Sequence, residues 1–282
     1  MKNRLSRKHH GIRASRADRV FYGVNAVVMA LIFLLYAWPL WFVLIASVSD
    51  PNFVQAGQVL LLPKGFHLGG YKLIAEYQDI LRGYFNSIVY TAAGTALNIV
   101  MTICAAYPLS RADFLPRKVL TVLFVFTMYF SGGLIPLYLQ VKNLGLYNSP
   151  LAMIIPSAVS IYNVLILRSF FMYGVPKSLE EAALLDGANT AQMLWHVILP
   201  LVKPTLAVLV LYYAIGHWND YFSALIFLKD KELMPLQTIL RDVLITGKID
   251  MASSGMEMEA VIQKLKTAQT LKYSVIVIST VP

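Results

Sequence analysis

The sequence predicts an all-α integral membrane protein, and three observations support that prediction. Of the 282 residues, 57% are hydrophobic and only 14% are charged, whereas soluble domains contain about 25% charged residues. The mean hydropathy is +0.61. The uncharged residues form long runs without the strict alternation of a β-barrel strand. This composition excludes an ordinary soluble domain and a disordered chain.

Long uncharged runs predict the membrane-spanning helices. A bilayer core about 30 Å thick needs about 20 helical residues. Five runs qualify: 20–49, 83–110, 119–141, 143–167 and 204–228. Prolines lie inside several of these runs, among them Pro39, Pro136 and Pro156, and we interpret these three as packed kinks, with a functional hinge as the alternative. The last run is interrupted by Asp220.

A sixth apolar run begins at Leu271 and reaches Pro282. Its eleven positions from Lys272 onward would cover only about 15 Å as a helix. We therefore expect five full spans and a sixth helix that is truncated, with an in-frame apolar and then basic extension in the native gene.

The N-terminal tail, residues 1–19, sets the expected orientation. It carries seven Lys or Arg residues and one acid, Asp18, and contributes most of the net charge of +9. Such a tail could bind nucleic acid, but beside a long apolar run it is typical of a cytoplasmic anchor in the cell membrane. The first transmembrane helix is then 20–49, and the segment 50–82 is extracytoplasmic. A cleaved signal peptide is the alternative, although its apolar part is shorter.

Two outer segments have helical patterns. Apolar residues recur at near-helical spacing in 71–82, which predicts an amphipathic helix at the outer surface. A second stripe, within 229–270, starts at Leu236 and continues to Leu244. We interpret it as packing against the bundle.

The segment 173–204 predicts a helix-turn-helix between two spans. Ser178 and Glu181 have the spacing of a capping box, which predicts a short helix over 179–186. Gly187 follows where a helix end needs a left-handed residue. A second helix is expected over 190–199, ending at Pro200.

This segment resembles the EAA loop of binding-protein-dependent (MetI-like) ABC importer permeases. The match consists of Glu181-Ala182-Ala183, then Gly187 after three residues, and Val197-x-Leu199-Pro200 after nine more. The family has Ile where Val197 stands. Further motifs resemble the maltose-importer-type carbohydrate permeases and, within them, the LplC/YtcP-like group: 131–138, 144–146, 218–221 and 235–237.

The resemblance implies a six-helix transmembrane permease, with a permease core over 83–282 and a cytoplasmic coupling helix in an EAA loop at about 173–204. In this family two permease subunits form the pathway, an extracytoplasmic solute-binding protein delivers substrate, and cytoplasmic ATPase subunits drive transport. The implied ATPase-coupling residues are Glu181, Ala182, Ala183, Asp186, Gly187, Leu199 and Pro200. Membrane lipid is a further expected partner, and nucleic acid is not.

No nucleotide-binding P-loop occurs in the sequence, so ATP hydrolysis is expected on a separate subunit and not on this chain. We expect no enzyme activity, no cofactor and no metal. The expected solute is a carbohydrate, in particular an oligosaccharide. The alternatives are a permease for a polyol or glycerol phosphate, and a membrane-embedded enzyme or scaffold.

Trp218, Asn219, Asp220 and Tyr221 lie near the outer end of the fifth run. An ionisable group at membrane depth suggests function, and aromatic rings with hydrogen-bonding groups suit a sugar path. The alternative is an interfacial aromatic belt with Asp220 at the water boundary. His217 and Asp220 alone are too few ligands for a metal site.

Overall fold

The computed structural model describes residues 15–76, 78–242 and 272–280, and every regular element in these ranges is helical. The predicted all-α class is therefore confirmed. The chain divides into two compact units, residues 1–71 with 269–282 and residues 72–268. The predicted basic tail lies mostly outside the described residues.

The first unit is built on a single long helix, α1 (Arg16–Ser47). Ser15 and Asp18 form a capping box at its start, with N–O distances of 3.3 Å and 2.9 Å. Most of α1 is exposed, and its buried residues lie in the last turn. Asp50 then caps a short helix, α2 (Pro51–Gln55). The predicted helix over 20–49 is confirmed, although it ends two residues earlier.

The second unit is a helical bundle around a 33-residue helix, α4 (Gln78–Ser110), which follows α3 (Gly69–Glu76). The main partners of α4 are α7 and α10. The other helices of this unit are α5 (Arg117–Tyr129), α6 (Leu134–Asn143), α7 (Ile161–Tyr173), α8 (Lys177–Leu185), α9 (Thr190–Leu201), α10 (Lys203–Trp218), α11 (Phe222–Phe227) and α12 (236–242). The last described helix, α13 (272–280), belongs to the first unit.

By length and composition, two described helices could cross a membrane, α1 and α4. Two bent pairs also qualify if each pair is counted as one span, α5 with α6 at 112° and α9 with α10 at 82°. The helix α7 is apolar but shorter. The five uninterrupted spans expected from the uncharged runs are thus partly replaced by broken helices.

The predicted single helix over 119–141 is wrong. The chain leaves helical conformation at Phe130 and resumes at Leu134, and Gly133 has a φ of 88°. Only glycine adopts this conformation readily, so the break is encoded locally. Pro136 lies in the first turn of α6, where its missing N–H breaks no helical bond.

The run 143–167 is also not one helix. Pro150–Met153 forms a 3₁₀ turn capped by Ser149, and Pro156 lies in irregular backbone, not at a kink. The helix α7 begins at Ile161 and continues six residues beyond the predicted end. Two prolines without N–H groups prevent a continuous helix.

The outer segments are partly as expected. The predicted amphipathic helix over 71–82 is divided between α3 and the first turns of α4. Leu236 and Leu240 of the second stripe are buried, which confirms packing, whereas Val243 and Leu244 lie outside the described residues. Residues 272–280 of the sixth run are helical. The expected extension beyond residue 282 stays a prediction.

Candidate functional site

The helix α8 carries the Glu-Ala-Ala residues and starts differently from the prediction. It begins at Lys177, with Pro176 in the capping position and no capping side chain. Ser178 is already inside the helix, where its hydroxyl cannot act as an N-cap. The predicted capping box between Ser178 and Glu181 is therefore wrong. Glu181 is exposed and free of that role.

An ion pair that the sequence did not reveal fixes the start of α8. The Arg111 Nη1 atom lies 2.7 Å from Oε2 of Glu180, and these side chains are only 18% and 21% exposed. The Arg111 guanidinium also lies 4.8 Å from the centre of the Tyr107 ring. Low exposure strengthens such a pair relative to a surface one. It ties α8 to the C-terminal end of α4, so both loops lie at the same end of the bundle.

The C-terminal end of α8 confirms that Gly187 is the left-handed residue that ends the helix. Its φ is 80°, and two backbone bonds close the turn. The Gly187 N–H donates to Leu184 at 3.0 Å, and the Ala188 N–H donates to Ala183 at 2.9 Å. This is a Schellman motif, which satisfies carbonyls that the helix leaves unpaired.

The second helix, α9, is longer than predicted. Asn189 and Gln192 form a reciprocal capping box with distances of 2.8 Å and 2.9 Å. Their spacing in the sequence is a helix-start signal that the prediction did not include. The turn Met193–Ile198 is π-helical, a feature that often marks functional sites. The helix does not stop at Pro200 but continues to Leu201 before the 82° bend.

The predicted coupling residues separate into two groups by burial. Ala183 and Leu199 are buried in an apolar cluster with Phe171 and Leu209. The other predicted coupling residues are exposed: Glu181, Ala182, Asp186, Gly187 and Pro200. Leu185 is 90% exposed. We call Glu181, Ala182, Leu185 and Asp186 the exposed face of α8. One side of this short helix packs against the apolar cluster and the other side is exposed to solvent. The exposed side is therefore accessible to another protein.

The second predicted site, 218–221, lies where α10 ends and α11 begins. The Trp218 ring meets the Tyr84 ring edge-on at 5.6 Å. Asp220 accepts the Ser223 N–H at 3.0 Å and so serves the start of α11. The Tyr221 ring is exposed and lies 5.7 Å from the Arg241 guanidinium. The predicted continuous fifth helix is therefore interrupted at this point.

His217 lies next to this break and forms a buried hydrogen bond with Asn98. Its Nε2 atom lies 2.7 Å from Oδ1 of Asn98, and the pair is buried. The Asn98 amide also donates to the Ser157 carbonyl at 2.5 Å. A side chain at Gly94 would overlap the His217 ring. Among the described residues, no group of three or more His, Cys, Asp or Glu could hold a metal.

Side chains in the N-terminal part of α4 form hydrogen bonds with the backbone of residues 232–236, a segment that we call the strap. Asn86 donates to the carbonyls of Glu232 and Met234 at 2.8 Å and 3.1 Å. The Tyr90 hydroxyl donates to Leu233 at 2.9 Å. Ser87 accepts the Leu236 N–H at 2.9 Å. Side chains of α4 thus satisfy backbone groups of a segment that is not itself part of a continuous α-helix.

A bundle of apolar helices with one braced and solvent-exposed helix at its end is typical of a class of protein, the permease component of a membrane transporter. The chain belongs to the family described as "binding-protein-dependent transport system inner membrane component", whose model matches residues 83–280. This confirms the resemblance inferred from the EAA loop, and the chain is a permease component of an ABC importer.

Individual relatives agree with this assignment. The chain is 37% identical over 268 residues to the polygalacturonan/rhamnogalacturonan transport system permease protein YtcP of Bacillus subtilis, covering 94% of this chain and 90% of the relative. It is 35% identical over 273 residues to protein LplC of the same organism, covering 97% and 91%.

A solved structure shows the same fold. It is described as the crystal structure of a bacterial ABC transporter involved in the import of the acidic polysaccharide alginate. The TM-score is 0.84 at 32% sequence identity, with 96% of this chain and 95% of that chain covered.

Proposed function

We propose that this permease forms half of a membrane pathway for an oligosaccharide. The support is that YtcP is named for polygalacturonan and rhamnogalacturonan transport, and that the similar solved transporter imports alginate. The second half would be another permease subunit. An extracytoplasmic solute-binding protein would deliver the carbohydrate.

The observation that carries the coupling proposal is the exposed face of α8. The Arg111–Glu180 pair and the Gly187 turn hold the two ends of α8, and Ala183 packs below it. Glu181 and Asp186 add acidic groups beside the apolar Leu185. A cytoplasmic ATPase subunit with an apolar groove bordered by basic side chains would fit this face. The permease core of 83–282 would then be coupled through 173–204.

The solute path would include the break at 218–221. The exposed Tyr221 ring and the exposed Asn219 amide offer an aromatic face and hydrogen-bonding groups, the combination that sugars require. Asn219 already donates to the Ile215 carbonyl at 2.9 Å, so its amide oxygen is the group best placed for a sugar hydroxyl.

The decisive test of the solute is ATPase stimulation in the reconstituted complex with its binding protein. Oligogalacturonides and neutral galacto-oligosaccharides of equal length would be compared, because they differ in charge but not in size. Stimulation by either series would support the carbohydrate proposal, and the stronger series would define the charge preference. Stimulation by polyols or glycerol phosphate alone would refute it.

The proposed orientation has a cytoplasmic N-terminus. Its support is the basic tail and the Arg111–Glu180 pair, which places the basic loop after α4 at the same end as α8. A Ser178→Cys variant, with Cys104 replaced by serine, should resist a membrane-impermeant thiol reagent in intact cells. Lys231→Cys in the same background should react. Reaction at residue 178 alone would reverse the orientation.

A further inference from the structure

The loop 59–68 of the first unit exposes an unusual amount of apolar surface. Leu60, Leu61, Leu62 and Phe66 are 62%, 65%, 72% and 74% exposed. No charged residue occurs between Asp50 and Lys64. An exposed apolar patch of this kind marks a site of contact with protein or membrane.

The loop is nevertheless held in a defined position against the end of α1. The Asp50 N–H donates to the Lys64 carbonyl at 3.0 Å, and the His67 N–H donates to the Val48 carbonyl at 2.9 Å. The chain therefore turns back after α2 and returns alongside α1. Val59, at the start of the loop, is 1% exposed and anchors it by burial.

The Trp41 side chain fixes how far the loop descends along α1. Its indole N–H donates to the Leu61 carbonyl at 3.0 Å. Trp41 lies six residues before the last residue of α1, which corresponds to about 9 Å along the helix axis. The loop thus lies beside α1 and does not project beyond its end.

The charges at the start of α1 place Trp41 at a membrane boundary. Arg16, Asp18 and Arg19 lie in the first turn, and the uncharged run begins at Val20. From Val20 to Trp41 there are 21 steps, or about 32 Å of helix, close to the thickness of the hydrocarbon core. Tryptophan is enriched at this level of the bilayer. Leu61 therefore lies at the interface, where its carbonyl receives a donor from the protein.

We infer that residues 60–66 form a membrane anchor that inserts apolar side chains into the lipid leaflet at the C-terminal end of α1. The three leucines at 60–62, held beside Trp41 at interface depth, match the chemistry of acyl chains. Lys64, paired with Asp50 through the backbone beyond the end of α1, lies where it can meet lipid phosphates. Irregular backbone is tolerated there because water and headgroups reach it, unlike in the hydrocarbon core. The inference depends on neither the solute nor the orientation of the permease.

The test is a spin label at Leu62→Cys in a Cys104→Ser background, measured in the assembled complex in phosphatidylcholine–phosphatidylglycerol vesicles. Collision with oxygen, which partitions into lipid, is compared with collision with a water-soluble nickel complex. The matched control is a label at Ala56→Cys, exposed at the end of α2. The oxygen-to-nickel ratio should be at least about threefold higher at residue 62, because apolar residues of an interfacial anchor lie about 5–10 Å deep.

Equal ratios at residues 62 and 56 would show a water-facing loop and overturn the inference. Protection of residue 62 from both reagents would overturn it too, because a protein partner would then cover the loop. A Trp41→Phe change should lower the ratio at residue 62 towards the control, since it removes the donor to Leu61 and keeps an aromatic ring. An unchanged ratio would show that Trp41 does not set the depth.

Discussion

At its C-terminal end α4 contacts its neighbours through a buried apolar cluster, whereas at its N-terminal end it holds the strap by hydrogen bonds. The cluster comprises Ala106, Tyr107, Leu109, Val164, Leu167, Phe171, Val175, Ala183, Met193, Ile198, Leu199, Val202 and Leu209. The strap instead depends on the side chains of Asn86, Ser87 and Tyr90.

The difference follows from what each neighbour's backbone requires. At the C-terminal end the neighbours are helices, whose N–H and C=O groups are paired internally, so that apolar packing is sufficient. Most of the strap is not α-helical: 232–233 end a 3₁₀ turn, 234–235 are irregular and 236 begins α12. Several of its backbone groups therefore take partners from α4. Apolar packing at the C-terminal end leaves the exposed face of α8 accessible to a partner. Hydrogen bonding at the N-terminal end fixes the strap in place.

The largest expected effect is at the exposed face of α8. Glu181→Lys should reduce association with the ATPase by at least about tenfold, because reversed charge at an interface costs several kcal/mol. Folding should be unchanged, since Glu181 is exposed. Asp113→Lys is the control, because it makes the same charge change in the exposed loop after α4. Copurification of the ATPase measures both variants, and equal retention would refute the coupling role of Glu181.

A change midway along α4 should destabilise the bundle. Gly94→Ala places a methyl group against the buried His217 ring and should cost about 1–3 kcal/mol of stability through overpacking. Gly216→Ala in α10 is the matched control, because nothing lies within 4 Å of its added methyl group. Unfolding in mixed detergent micelles would measure the difference. Equal stability of the two variants would show that His217 can move freely.

The support of α8 can be weakened separately from its exposed face. Glu180→Gln should cost about 1–2 kcal/mol, between the values of surface and buried ion pairs. Glu181→Gln, at the next residue, should leave stability unchanged. Thermal unfolding of the purified subunit in detergent distinguishes them. A larger loss for Glu181→Gln would invert the assigned roles of the two glutamates.

The smallest effect is expected at the strap. Ser87→Ala leaves the Leu236 N–H without its acceptor, which should cost about 1 kcal/mol. Ser169→Ala is the control, since that exposed hydroxyl bonds only within its own helix. Hydrogen exchange should increase at Leu236 in the first variant and not in the second. Unchanged exchange would show that packing alone holds the strap.

Composition and uncharged runs were sufficient to predict the class and the two long helices, because apolar length is a direct requirement of the bilayer. They did not predict the breaks, since a window of apolar residues does not register backbone conformation. Gly133 and Pro150 mark the breaks in the sequence, but the prediction relied on the length of the uncharged runs. The EAA spacing located α8, but the capping interpretation failed because the helix begins at Lys177, with Pro176 in the capping position. The ion pair of Glu180 with Arg111, 69 residues away in sequence, left no signal in the local pattern.

The apolar cluster beneath α8 also has a mechanical consequence. Ala183 of α8, Met193 of α9 and Leu209 of α10 belong to one close-packed body, and such interiors transmit strain with little compression. A displacement applied to α8 would therefore reach α10 instead of being absorbed at the surface. The 16 residues of α10 form a strut about 24 Å long. This helix ends at Trp218, so a displacement of α8 would be transmitted through α10 to the break at 218–221.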